Sequence, residues 1–360
     1  MVLKKTNKHI AFLVQLPKKV SPSQRFRIEQ FEPFLSSKGI IFDTYPFIGK
    51  QTYKIFYKRG FFFQKAFGVL VGFLRRFGFL FKAYQYDYIF IQRMATPIGP
   101  PIYEWILAKL LRKKLIFDFD DAIWIPDSSG ASWLMQIAKC YWKIKDICRW
   151  SYKISAGNEY LERWARRYNK NTVIIPTCVD TQQRYRFLHQ HQDKKVTIGW
   201  TGSHSTLRFL NIIYPVLQKL EQTHDFTFLV ICDRPPDFSL QSMQFLPWNE
   251  VSEIEDLMKI DIGIMPLEVD AWSEGKCGFK LIQYLALGIP AVASPVGVNK
   301  KIVTMDNGFL CGTEEDWYNA LATLIHDAQL REKMGCSGRK KILDEYSIQE
   351  KATDFLSLFD

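Results

Sequence analysis

The feature that most constrains this chain is an alternation of short apolar strands with helical stretches that runs through its first half, stops, and begins again. His9–Leu16, Ile40–Tyr45, Tyr88–Gln92, Lys114–Asp118, Lys153–Ala156 and Thr172–Ile175 read as buried strands, with helical patterns such as Ile102–Leu111 and Trp133–Trp150 between several of them. A polar, proline-free stretch, Gln182–Lys195, follows. The alternation then resumes: Thr197–Trp200, Thr227–Cys232, Gln244–Leu246, Asp261–Met265 and Ala291–Ser294 read as strands, and Thr206–Thr223, Glu253–Lys259 and Lys280–Leu287 as helices. Such alternation predicts parallel sheets wrapped by helices. In a chain of 360 residues, two such runs predict an α/β fold of two Rossmann-like parallel-sheet domains facing across a cleft. The expected division is 1–185, 186–345, and a C-terminal helix over 346–360 that could cross back to the first domain.

Composition narrows the class. With 47% hydrophobic and 24% charged residues, the chain is neither disordered nor fibrous. Its seven cysteines are scattered without a C-x-x-C pair, which argues against a disulfide framework or structural zinc and for a reducing cytoplasm. The N-terminus runs into the first strand with no apolar leader, so no secretory signal is expected.

Charge is divided unevenly. Residues 1–180 hold 30 Lys+Arg against 13 Asp+Glu, whereas residues 181–360 hold 18 against 24, although the whole chain is +11. A basic first half suggests an anionic partner. No acidic residue lies between Asp43 and Asp87, where Lys50, Lys54, Lys58, Arg59, Lys65, Arg75, Arg76 and Lys82 interleave with phenylalanines. The longest apolar run there, Ala66–Leu74, is about half the ~20 residues a membrane span needs. Phe63, Phe67, Leu70, Leu74 and Phe77 recur at helical spacing, the pattern of an amphipathic basic helix lying in an anionic interface. A core helix with solvated charges is the blander alternative. No nucleic-acid module accompanies the patch, so nucleic acid is not expected as a partner.

Two motifs carry chemistry. In Trp272-Ser-Glu-Gly-Lys-Cys-Gly-Phe-Lys280, a glycine-bearing turn opens a helix at about Lys280, so Lys276 and Lys280 flank its positive end, where a phosphate or diphosphate should sit. Solvated surface lysines are the competing account. In Thr197-Ile-Gly-Trp-Thr-Gly-Ser-His-Ser-Thr-Leu-Arg208, a strand delivers a loop with Gly202 and Ser203 into a helix, with Arg208 one turn along. The triple glycine of dinucleotide binding is absent, so Asp233 after the next strand is not taken as a ribose-binding acid of that kind. His204 could contact a donor or simply be hydrogen-bonded within its loop.

Together these pieces resemble the donor-binding domain of retaining GT-B glycosyltransferases of family 4. That family has a Glu-x7-Glu motif followed by Ala-x-Gly-x-Pro-Val-Val-Ala-Ser, and Leu285-Ala-Leu-Gly-Ile-Pro-Ala-Val-Ala-Ser294 is similar to its tail. The first half follows the family's looser pattern in Phe117–Trp124, Ser155–Asn158 and Ile174–Asp180. The two motif glutamates fall on Gly275 and Gln283, with Glu274 next door. The resemblance implies that Gln283 meets the nucleotide ribose, that Glu274 stands in at the donor sugar, and that Lys276, Lys280 and Arg208 serve the diphosphate. The Gly-Lys-Cys-Gly-Phe-Lys turn looks like a lysine-bearing variant found in one branch, with Gly278 and Phe279 beside the donor. Trp248 is a candidate wall for the donor base.

At the expected carboxyl rim of the first sheet, where open α/β sheets bind ligands, Arg25, Arg27, Arg93, Asp120 and Asp121 are acceptor-side candidates. Asp118-Phe-Asp120 is similar to the metal-binding Asp-x-Asp of the GT-A fold, but the repeated α/β pattern contradicts that fold, so no metal and no cofactor beyond the nucleotide sugar is expected. The resemblance implies transfer of a hexose from a nucleotide-diphosphate donor to an acceptor hydroxyl with retention, the leaving phosphate taking the acceptor's proton. With the basic half, it implies a lipid-linked or glycan acceptor in surface polysaccharide or glycolipid assembly, on the cytoplasmic face of an anionic membrane. A sugar-nucleotide epimerase or hydrolase on the same fold, or a non-catalytic binding subunit, remain alternatives.

Overall fold

A computed structural model of the chain describes residues 8–126, 133–190 and 195–360. Residues 1–7, which carry the expectation about a leader, and 191–194 of the polar stretch lie outside them. The chain divides into two compact units: Met1–Pro176 with Ala352–Asp360, and Thr177–Lys351.

The first unit is built on six parallel strands, β1 (His9–Val14), β2 (Ile41–Pro46), β3 (Tyr88–Gln92), β4 (Lys114–Phe119), β5 (Lys153–Ala156) and β6 (Thr172–Ile174), in the order β2-β1-β3-β4-β5-β6. The second has six more, β7 (Val196–Thr201), β8 (Phe226–Cys232), β9 (Met243–Pro247), β10 (Ile262–Met265), β11 (Ala291–Ala293) and β12 (Gly308–Leu310), in the order β12-β11-β10-β7-β8-β9, again all parallel. Runs such as Ile10–Val14 and Ile89–Ile91 are fully buried, as central strands covered on both faces by crossover helices must be.

The helices that matter below are α1 (Pro22–Arg27), α2 (Phe62–Leu80), α3 (Tyr214–Glu221), α4 (Ala271–Glu274), α5 (Phe279–Ala286) and α6 (Ile348–Leu356). Two predicted helices are interrupted. Thr206–Thr223 is a 3-10 segment over His204–Ile212 followed by α3, because Pro215 in the first turn of α3 has no amide to continue a preceding helix. Trp133–Trp150 breaks at Cys140, whose φ of 49° ends Trp133–Lys139 before Lys143–Trp150 begins. The strand β12 carries no apolar run long enough to announce it. Its Gly308 is required by contact, since a Cβ there would lie 1.9 Å from the Ala291 oxygen.

The polar stretch is not a loose linker where it is described. Tyr185 is fully buried in the second unit, and Arg339 donates to its carbonyl at 2.7 Å and to that of Thr181 at 3.1 Å. His189 lies 2.8 Å from Asp261 with both side chains almost wholly buried. These anchors place the chain in the second unit from Thr177, earlier than the expected 186. At the other end, Ala352–Asp360 belongs to the first unit. There Phe355 stacks on Phe31 with centroids 4.2 Å apart, and Tyr152 donates to the Asp360 carbonyl at 2.6 Å.

Helix α2 is where the sequence expected an amphipathic basic helix. Its buried face is narrow. Gly68 and Gly72 let it close on Thr52 and Phe47, and a Cβ at either would come within 2.3 and 2.7 Å of those side chains. The apolar stripe points away from this face: Phe63, Phe67, Leu70, Leu74 and Phe77 are all more than half exposed, up to 83% for Phe63. Arg76, expected among the basic residues facing an anionic interface, is instead 1% exposed. It donates to the main-chain oxygens of Ala95, Tyr45 and Val14 at 2.8, 2.9 and 2.7 Å, and burial pulls its pKa down to about 10. Its charge closes the ends of β1 and β2 and cannot face a partner. Among the described residues no helix is long and apolar enough to cross a membrane.

Candidate functional site

In the second unit, β7 ends at Thr201, and Trp200 lies directly under the following turn. A Cβ at Gly202 would come within 2.5 Å of the indole. The turn has fewer spare amides than its composition suggested. Gly202 donates its N–H to the Ile231 carbonyl at 3.0 Å, and His204 donates its own to Asp233 at 2.7 Å. The His204 ring is held by the same carboxylate, Nδ1 to Oδ2 2.6 Å, so the histidine is locally bonded. Burial opposes ionisation of Asp233, but the bonds from His204 outweigh it and hold the carboxyl below its ordinary range. Ser203 is exposed, with its hydroxyl 2.9 Å from that of Ser205.

Helix α5 starts beside this turn and is pinned to the sheet. Tyr284 packs its ring on Gly263, where a Cβ would come within 2.3 Å, and its hydroxyl accepts the Thr201 amide at 2.9 Å. The N-cap of α5 is Gly278 at φ 66°, pressed against Ile302. The loop before it is held down at Gly297 (φ 52°), which passes so close to the Glu274 backbone that a Cβ would lie 2.9 Å from its oxygen. A rigid helix N-terminus with its partial positive charge therefore stands next to the carboxyl end of β7.

Three cations gather on aromatic rings here. The Lys280 Nζ lies 5.2 Å from the Trp200 ring centre. The Lys276 Nζ is 3.5 Å from the centre of Trp272, and the Arg208 guanidinium is 5.5 Å from the same ring and 5.0 Å from Phe209. Arg208 is half-buried, its Nε is buried without a hydrogen-bond partner, and among the described residues its guanidinium has no ion pair. A cation partly withdrawn from water without a counter-ion is costly, and the arrangement favours an incoming anion.

Other predicted donor residues sit differently. Gln283 is buried, and its amide donates to the Tyr185 hydroxyl at 2.7 Å. Phe279 is half-buried at the first position of α5. Trp248 closes β9 and donates its indole N–H to Glu253 at 3.3 Å. Glu274, half-buried at the end of α4, has no side-chain partner among the described residues.

At the carboxyl ends of β3 and β4 in the first unit, Arg93, Asp120 and Asp121 come together. Arg93 Nη2 reaches Asp120 at 2.8 Å and Asp121 at 2.5 Å. Arg93 adopts φ 62°, an unusual conformation for a non-glycine residue that aims its side chain at these carboxylates. Burial works against ionisation of Asp120, but Arg93 and then Arg27 prevail and lower its pKa. The loop after β3 is built from within: Glu104 accepts the Ala95 amide at 2.8 Å, and Lys143 donates to the carbonyls of Thr96 and Gly99 at 2.9 and 3.1 Å.

Arg27 is not available to a ligand. Its side chain is 2% exposed, paired with Asp118 through two nitrogens, and it donates to Ser155 at 2.9 Å and to the Ile175 carbonyl. The expectation that it meets an acceptor is therefore corrected: it ties α1 to β4 and β5. Arg25 is also buried, over the ring of Phe26 at 5.0 Å. Because Asp118 is committed to Arg27 and Asp120 to Arg93, the Asp-x-Asp pair does not present two carboxylates to one cation. Among the described residues no cluster of His, Cys, Asp or Glu could hold a metal ion.

Comparison with known structures places this architecture. The chain is similar to sucrose-phosphate synthase from Thermosynechococcus elongatus, with a TM-score of 0.71 at 15% identity over 98% of each chain. It is similar to the Anabaena protein HepE in complex with UDP and glucose, with a TM-score of 0.65 at 13% identity over 97% of this chain and 98% of that one. The catalytic domain of starch synthase IV from Arabidopsis thaliana, bound to ADP and acarbose, gives a TM-score of 0.66 at 12% identity over 98% and 99%. The fold is GT-B. Within it, residues 195–327 match the family described as glycosyl transferases group 1. No curated protein sequence matches the chain.

That match lies within the second unit and includes Arg208, Lys276 and Lys280. Sequence reasoning named these cations but not the rings they lie against. Trp272 stands four residues before Lys276, and Trp200 two before Gly202, so both lay inside the quoted motifs without being singled out. Tyr284, which ties α5 to Thr201, and Tyr185, which bonds Gln283 on the same helix, carried no local signal because their partners are distant in sequence.

Proposed function

We propose that this chain is a glycosyltransferase moving a hexose from a nucleotide-diphosphate donor to an acceptor hydroxyl with retention, in the manner of family 4. The observation that carries the reading is Arg208: a half-buried guanidinium without an ionic partner, beside two lysines and a helix N-terminus at the carboxyl end of β7. Such a grip suits negative charge developing on a departing diphosphate, and stabilising that charge is commonly the largest catalytic contribution. The leaving phosphate then takes the acceptor's proton on the same face, so no separate His–Asp base is required. Glu274 serves the donor sugar and Arg93 with Asp120 and Asp121 the acceptor side. The match over residues 195–327 and the UDP- and ADP-bound neighbours support a nucleotide sugar as donor.

The acceptor is lipid-linked and the enzyme works at the cytoplasmic face of an anionic membrane, in surface polysaccharide or glycolipid assembly. The outward phenylalanine stripe of α2, with exposed Lys58, Arg59 and Lys82 near its ends, supports this. Incubation with a panel of nucleotide sugars, with and without a lipid acceptor and with and without EDTA, tests it. Acceptor-dependent glycoside of retained configuration, insensitive to EDTA, is expected. Epimerised or hydrolysed donor without acceptor dependence would overturn the reading.

A further inference from the structure

We propose that Trp272 is a positioning residue that gathers Arg208 and Lys276 into one anion grip before any ligand arrives. The inference rests on the reading of this site as a diphosphate seat. The two cations come from different crossovers, Arg208 from the 3-10 segment after β7 and Lys276 from the loop between α4 and α5. Like charges brought together repel, and attraction to a shared ring offsets part of that cost. An indole face, negative at its centre, attracts both. Lys276 Nζ lies 3.5 Å from the Trp272 ring centre and the Arg208 guanidinium 5.5 Å from it.

No oxygen holds Arg208 among the described residues; its contacts are the rings of Trp272 and Phe209. The indole is itself braced. Phe209 stacks on it at 6.1 Å and 24°, and Asp270 caps α4 by accepting the Ser273 amide at 2.6 Å, with Ser273 fully buried. Trp272 thus acts through the cations, with its face turned to them rather than to the nucleotide.

The test is calorimetric titration of inorganic pyrophosphate, UDP, ADP and GDP into the wild-type protein and into Trp272→Leu and Trp272→Phe. Trp272→Leu should weaken pyrophosphate and the preferred nucleoside diphosphate by the same factor, about 5- to 30-fold, and Trp272→Phe by about 2- to 5-fold, since the smaller ring holds cations less well. In a Lys276→Met/Arg208→Met background either change should add nothing. Should Trp272→Leu fail to fold, Trp272→Phe in both backgrounds carries the same coupling test.

The failures separate. A wild-type protein that binds neither pyrophosphate nor any of the three diphosphates sinks the diphosphate seat itself. If wild type binds pyrophosphate and both Trp272 variants bind it equally well, the seat stands and the role of Trp272 is refuted. Loss of nucleoside diphosphate with pyrophosphate unchanged would mean that the indole stacks on the nucleoside, which also overturns the proposal.

Discussion

The two halves use their cations in opposite ways. In the first unit, Arg27, Arg76 and Arg93 are satisfied by oxygens: Arg27 by Asp118 and Ser155, Arg76 by three carbonyls, Arg93 by Asp120 and Asp121. In the second unit, Arg208, Lys276 and Lys280 rest on aromatic faces. An oxygen partner neutralises a cation and fixes its position, in the core at Arg27 and Arg76 and at the part-exposed rim at Arg93. A ring positions a cation without neutralising it, which matters most at Arg208, whose guanidinium has no ion pair among the described residues. The more basic half by sequence thus commits these three arginines to structure, while the net acidic half holds the cations seated on rings.

The contrast breaks most visibly at Arg27. Arg27→Met leaves Asp118 buried and uncompensated, which should cost about 3–5 kcal/mol of stability, read as a lowered urea midpoint. Arg27→Met/Asp118→Leu should recover much of that loss. If Arg27→Met kept wild-type stability and lost only turnover, Arg27 would belong with the ligand-facing cations after all.

Lys280→Ala is the mirror experiment. It removes a charge seated on Trp200 and not one closing the core, so its melting temperature should stay near wild type. Loss of one preorganised donor to the departing diphosphate should lower kcat about 100- to 1,000-fold. A large stability loss with proportionate activity would erase the distinction between the units.

How much of this was legible in sequence follows from the range of each interaction. The strands of both sheets except β12 were readable, the central ones because buried parallel strands are continuous apolar runs. So were the turns that carry Lys276, Lys280 and Arg208, because the glycine-bearing junctions that open helices are local in sequence. The roles of Arg27 and Arg76 were not, because burial is decided by partners such as Asp118, 91 residues away, and Val14, 62 away. The spacing of Phe63, Phe67, Leu70, Leu74 and Phe77 showed a stripe but not its direction. A helix wheel is the same whether the stripe faces core or solvent, and only the clash-free glycines Gly68 and Gly72 mark the packed side. Counting back from Gly288 marked Gln283 as an expected motif position, yet counting could not show its amide turned to Tyr185.

The outward stripe sharpens the comparison further, since it asks what the remaining charge of the first unit is for. Phe67→Ser/Leu74→Ser should reduce sedimentation with anionic vesicles about 10- to 100-fold, from the apolar area withdrawn from the interface. Lys58→Gln and Lys82→Gln should each weaken it about 5-fold, and added salt should diminish that difference. Binding equal to neutral and anionic vesicles would leave these lysines without the role assigned to them.

The smallest effect expected is a pH dependence at the Arg93 cluster. Asp120 is held below the ordinary carboxylate range chiefly by Arg93, which prevails over burial. A group whose folded pKa is depressed contributes stability above its unfolded pKa, about 4, and loses it as the pH falls through the lower folded value. Because Arg93 is part exposed, the contribution at neutral pH should be about 1 kcal/mol. Wild type should therefore exceed Arg93→Leu in unfolding free energy by that amount at pH 7, and the two curves should converge below pH 4. Parallel curves across that range would show that Arg93 stabilises the rim by packing alone, and the oxygen-satisfied class of cations would lose its most solvent-accessible member.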